Sequence, residues 1–241
     1  MAGDYYVSRQ RKLLNEFDKT LERIGGVFAS RYGEALTRAM LSEARQEYEA
    51  LIPQLPYIGG AQPHTQFLIS TAWFLAMYRV LKHRGEAVEE VGVLAYQASE
   101  AYLRSYPRFV SRFLGFMTFS PRYLRKLQQR AADSRARKYP GDYVYGFVAG
   151  DGETFDYGVD YTECGTVKFL AEQGAPELAP YICPADILYS QALGWGLRRT
   201  TTLAEGAERC DFRFKKGGET RVAVPEPLER YLQLGSAEGH R

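Results

Sequence analysis

An α+β fold, with a helical N-terminal part packed on a C-terminal antiparallel sheet with helices, is predicted by three observations. Through residue 140 the chain carries apolar side chains at helical spacing, interrupted by Gly and Pro. After Pro140 the composition turns β-branched and aromatic. The strands then come in hairpin pairs, in the order β-β-α-α-β-β. That order favours an antiparallel sheet with helices on one face over a doubly wound parallel sheet.

Taken in order, Leu13, Leu14, Phe17, Leu21 and Ile24 recur every three to four residues and predict a first helix that stops at Gly25-Gly26. A second helix is expected over residues 35–51, before Pro53. Residues 53–64 are rich in Pro and Gly and predict a connector. The longest apolar stretch, Phe67 to Leu81, contains Ser70, Thr71 and Arg79, so it predicts a buried helix rather than a bilayer span. A fourth helix is expected over 87–106, stopped by Pro107. A fifth covers 108–137, with a break at Ser120-Pro121. Strands follow over 142–149 and 155–162, joined through Asp151-Gly152 as a hairpin, with Tyr157, Val159 and Tyr161 on one face. Helices over 164–173 and 184–193 end at Gly174 and Gly194. Strands over 196–203 and 209–215, with Glu205-Gly206 between them, complete the pattern. The polar tail after Gly235 is expected to be disordered.

A length of 241 residues fits one large domain or two small ones. The expected division is a helical region at 1–140 and an α+β region at 141–241 that carries the site, unless the two form one continuous domain. A net charge of +2 gives no reason to expect a nucleic-acid partner. The basic run from Arg104 to Lys138 suggests an anionic surface when read alone. With acidic residues elsewhere to balance it, a solvated helix face is the preferred expectation, with no membrane partner. Three cysteines, an odd number, argue against a disulfide framework and for a reducing, cytoplasmic setting. Residues 1–14 lack the apolar segment of a secretory leader, so none is expected.

Cys183 is the most informative position for chemistry. Pro184 suits the first turn of a helix, which would make Cys183 its N-cap and set Asp186 in that first turn. Free N–H groups and the helix dipole would then favour the thiolate, and Asp186 could serve as acid or base. An ordinary buried Cys beside an acidic first turn is the competing reading. Cys164 lies where a strand hands over to a helix, with Asp160 and Glu163 nearby. Cys210 shares a strand face with Phe212 and Phe214 and should point inward. One of Arg198 and Arg199 should also face inward. A buried Arg calls for a carboxylate, supplied either by an acidic substrate or by a structural ion pair. Thr200, Thr201 and Thr202 add hydroxyls to that row. The cysteine spacings match no common metal motif, so no cofactor is expected, although a three-thiolate site is conceivable. Nucleophile-elbow, phosphate-loop and HExxH patterns are missing.

These residues carry a resemblance. The segment Gly158 to Cys164, followed by Lys168-Phe169, Glu177-Leu178, Tyr181-Ile182-Cys183 and Asp186, resembles the L-2-amino-thiazoline-4-carboxylic acid hydrolase family. So do Gly196 to Gly206 and Cys210 to Phe214, and more loosely Pro56 to Gly60 with the apolar helix. The end from Gly206 through Phe212 is also similar to 4-vinyl reductase type ligand-binding domains. The resemblance implies hydrolytic opening of a small cyclic C–N/C–S substrate by attack at its amidine-like carbon. Under it, Cys183 would be nucleophile or ligand to the reacting centre, Asp186 acid or base, and Arg199 the clamp for a substrate carboxylate, with Thr200, Asp160 and Glu163 contributing to binding. Cys164 and Cys210 would line the site or join Cys183 on a metal. The partner expected is a small molecule, with a homodimer open. The alternatives are a non-catalytic binding or sensor domain and a Cys-ligated metal protein.

Overall fold

The structure is a computed structural model that describes the backbone of residues 2–238 and the side chains of residues 5–233. The helical part comprises α1 (Ala2–Val7), α2 (Gln10–Tyr32), α3 (Glu34–Leu51), α4 (Pro63–Lys82), α5 (Val88–Arg104), α6 (Arg108–Met117) and α7 (Pro121–Ser134). Then come β1 (Val144–Ala149), β2 (Tyr157–Glu163), α8 (Gly165–Glu172), α9 (Ala179–Ile182), α10 (Ala185–Leu193), β3 (Leu197–Arg199), β4 (Cys210–Phe214), β5 (Arg221–Val222) and α11 (Glu226–Glu238). The α+β class and the hairpin order are as the sequence predicts.

Three elements differ from expectation. The helix expected to stop at Gly25-Gly26 runs on to Tyr32 and ends at Gly33, whose φ of 76° suits glycine. Two helical glycines cost about 1 kcal/mol each. Burial of Phe28 beyond them, worth about 2 kcal/mol, and the pairing of Arg31 with Glu86 and Glu90 offset that cost. The strand expected over 196–203 shrinks to three residues, because Thr200 and Thr201 turn away to bind Asp211. The segment after Gly235 continues α11 as far as Glu238, and its last three residues lie outside the described residues.

The sheet order is β1-β2-β4-β3-β5. All neighbours are antiparallel except β3 and β5, which run parallel, so the expected antiparallel sheet gains a short parallel edge. The chain reverses after β4 at Gly217 (φ 69°) and passes β3 to reach the far side. At the other edge α7 packs on β1, where Ser134 Oγ accepts from the Tyr145 N–H (3.1 Å) and donates to the Tyr145 carbonyl (3.2 Å).

α4 is buried on most of its surface between His64 and Leu81, as its continuous apolar sequence predicts, while Phe67 at the start of the run stays exposed. It packs against α3, α5 and α8. One cluster of buried side chains runs from Phe17 and Met40 through Leu75 to Tyr157, Phe169 and Phe214. Among the described residues no helix is long and apolar enough to cross a membrane.

Candidate active site

The inner face of the sheet presents Tyr145, Tyr161 and Cys210 in one row across three strands, and Val159 beside Phe212 in the next. Period-two alternation sends Asp160 and Thr162 to the opposite face. From β3, Leu197 and Arg199 are buried while Arg198 is exposed, so Arg199 is the inward arginine. Its guanidinium carbon lies 5.4 Å over the Phe212 ring.

α10 brings Asp186 to the same place. Arg199 Nη1 donates to Asp186 Oδ2 and, at 3.4 Å, to the Cys183 carbonyl. Arg199 is 2% exposed, and its Nε and Nη2 atoms find no acceptor within the protein. Those two groups form one edge of the guanidinium plane, the edge that grips a carboxylate with two parallel hydrogen bonds. Asp186 keeps 34% of its side-chain surface open although it sits deep in the protein. Cys183 and Cys164 are equally deep and also keep part of their surface open. Burial lifts the Asp186 carboxyl above its usual range, against the pull of Arg199.

The three thiols converge closely enough for the charge of each to bear on the others. Cys164 caps the start of α8, as expected, and Cys210 faces inward, where its sulfur accepts from the Leu203 N–H at 3.2 Å. The expected thiolate at Cys183 is corrected. Cys183 closes α9, Pro184 takes the flanking position of α10, and burial pushes the thiol well above its ordinary range. Burial likewise pushes Cys164 up to about 11 and raises Cys210. At neutral pH these sulfurs are protonated. Among the described residues no group of three His, Cys, Asp or Glu side chains is arranged to hold a metal ion.

Three other residues assigned to substrate binding lie away from this cluster. Thr200 is exposed and binds Asp211 through both its N–H and its hydroxyl. Asp160, on the outer face, is held by Arg213 at 2.6 Å and Arg209 at 3.7 Å. It lines a cleft of roughly 350 Å³ there with Arg135 and Arg137. Glu163 is claimed by Arg137 and Lys168, which keep its carboxyl below the usual range. Strand alternation applied to Asp160, rather than nearness in sequence to Cys164, would have removed it from the set.

The structure adds a residue that the sequence left aside. His64, in the first turn of α4, stacks on Tyr143 with ring centres 4.4 Å apart, and its Nε2 lies 3.1 Å from the Tyr161 hydroxyl. Tyr143, Thr166 and Thr71 extend this buried polar chain through contacts of 2.8 and 3.1 Å. Burial, aided by Arg130, pushes the imidazole down to about 4, so His64 is neutral at pH 7. Cys164 bears electrostatically on both Tyr143 and Tyr161, which joins the chain to the thiol cluster. Only the position of His64 next to Pro63, at a helix start, hints at it in the sequence.

A family model described as L-2-amino-thiazoline-4-carboxylic acid hydrolase matches residues 66–214. No curated protein and no solved structure matches the chain. The matched span reaches from α4 to the end of β4, and so takes in Cys164, Cys183, Asp186, Arg199 and Cys210 together with the sheet that assembles them. With more than half of its length inside that match, the chain belongs to the L-2-amino-thiazoline-4-carboxylic acid hydrolase family.

Proposed function

We propose that the chain hydrolyses a small cyclic carboxylate with adjacent C–N and C–S bonds, of which 2-amino-thiazoline-4-carboxylate is the example in the family's description. The observation that carries this reading is the free Nε and Nη2 edge of Arg199, buried beside Asp186 and Cys183. A buried cation with an unused bidentate edge suits a planar carboxylate and fixes the ring next to the acid and the thiol.

In the covalent route, Asp186 takes the Cys183 proton as the sulfur adds to the ring carbon between N and S. The ring C–S bond breaks, and the leaving sulfur receives that proton. Water then adds to the carbon and its oxygen stays there as a carbonyl; one of its protons goes to the former ring nitrogen and the other leaves with the Cys183 sulfur. The product is an N-carbamoyl thiol. The raised Asp186 carboxyl is the better base for this step. A second reading is favoured by the protonated state of Cys183: Asp186 activates water directly, and Cys183 only shapes the site.

The test is thiol release from 2-amino-thiazoline-4-carboxylate, followed with a chromogenic disulfide. One new thiol per turnover is expected, with none from Asp186→Asn. Loss of turnover in Cys183→Ala supports the covalent route, and retention supports the water route. A folded wild-type chain that binds the compound without releasing thiol would overturn the hydrolase reading in favour of a binding domain.

A further inference from the structure

The surface expected to be a solvated charged face has a different outer side at α6. Phe109, Val110, Phe113, Leu114, Phe116 and Met117 are 37–76% exposed. At 3.6 residues per turn these six occupy one continuous arc of about 160°. Gly115 lies opposite the centre of that arc and is the buried residue of the helix. It presses on the last turn of α10, where an added Cβ would fall 1.8 Å from the Leu193 carbonyl oxygen. The helix therefore docks through its small-residue side and turns its apolar side to the outside, the reverse of an ordinary surface helix.

The charge around this face is one-sided. Residues 101–132 hold seven Lys or Arg and no Asp or Glu. The whole chain is +2, so the other residues sum to −5 (+2 less +7). Arg108, Arg112, Arg122, Arg125 and Lys126 are exposed and make no ion pair among the described residues. Lys216 sets its ammonium 4.1 Å over the Phe116 ring, at the rim of the apolar arc.

We propose that α6 is an interfacial helix that docks the protein on an anionic phospholipid surface, its apolar arc entering the acyl boundary and its basic surroundings meeting the headgroups. Both halves of the chemistry are needed for that partner. A symmetric contact with a second copy would set the basic rim against itself. A nucleic acid would use the cations and leave six large apolar side chains in water. The docked side of α6 touches the last turn of α10, so attachment would place that end of α10 beneath the membrane surface, with Asp186 at the far end of the same helix.

The test is co-sedimentation of the full chain with phosphatidylcholine vesicles, with and without phosphatidylglycerol, at low and high salt. Binding is expected only to the anionic vesicles and should weaken with salt. Phe109→Ser with Phe113→Ser, both on the exposed arc, should lower affinity at least about tenfold. Arg108→Gln with Arg112→Gln should lower it about fivefold per charge. A chain that stays in the supernatant with anionic vesicles at low salt would overturn the proposal. So would binding that ignores vesicle charge or survives the double Phe change. If the double Phe change instead turns a dimer into a monomer in sedimentation velocity and no vesicle binding is seen, the occupant is a second copy.

Discussion

Arg199→Met combined with Asp186→Asn should leave the protein as stable as before, or slightly more stable, while abolishing its function. In the native chain Arg199 carries a charge at 2% exposure and leaves two donor atoms without acceptors. Each such donor costs about 1–3 kcal/mol. The pair with Asp186 returns about 1.5–3 kcal/mol, the ring contact with Phe212 about 1 kcal/mol, and the charge of Asp186 at the α10 start about 0.5 kcal/mol. Methionine fills a similar volume and regains a sulfur–ring contact of about 1 kcal/mol. The expected net is a gain of about 1 kcal/mol, which corresponds to roughly 2–4 °C in Tm for a chain of this size. Urea unfolding should show a higher midpoint with unchanged slope. Ring-opening activity and binding of small carboxylates should both be lost. A loss of more than about 2 kcal/mol would refute the reasoning, because it would mean that the free edge of Arg199 is satisfied and that the pair is structural.

Three further outcomes are expected. Gly115→Ala should lose about 1–3 kcal/mol in urea unfolding, because its Cβ meets backbone rather than a movable side chain. Gly26→Ala, with nothing within 4 Å, should gain about 0.5–1 kcal/mol in the same measurement. Acid should weaken the fold through His64: between pH about 6.5 and about 4 the unfolded chain takes up a proton that the folded chain refuses, so stability rises with pH across that window. About 3 kcal/mol should disappear on going from pH 7 to pH 4, and His64→Gln should remove that part of the slope when unfolding is measured at each pH.

The sequence carried most of the framework, for identifiable reasons. Leu13 to Ile24, the apolar run of α4 and the alternation of Tyr157, Val159 and Tyr161 are local patterns, and their faces are buried as expected. Gly194 closes α10 with φ 74°, the conformation expected of a glycine after a last turn. The errors come where distant packing overrides local preference. Gly25-Gly26 stay helical because α3 and α5 hold α2 on both sides of them. α11 escaped notice because its buried anchor, Leu228, packs on Tyr96 and Leu188, which lie far away in sequence. At the site, strand period made one of Arg198 and Arg199 inward and put Cys210 on the core face, but which arginine it is and how the three thiols stand to one another depend on tertiary packing. The state of Cys183 was not legible either, because its pKa is set by burial and no sequence pattern reports burial at a helix junction. His64 joins the sheet through a fold contact 97 residues away in sequence, which no local spacing encodes.

The serine at the end of α7 has a consequence for how copies of this chain behave when crowded. An outermost strand normally offers its spare amide and carbonyl to any passing extended segment, which is how sheets grow into fibrils. At β1 both spare groups of Tyr145 are already taken by Ser134, a single side chain occupying the place of a neighbouring strand. The opposite edge, β5, is only two residues long and offers too little ladder to template growth. Strand addition is therefore opposed at Tyr145 by a hydroxyl and at the other edge by brevity.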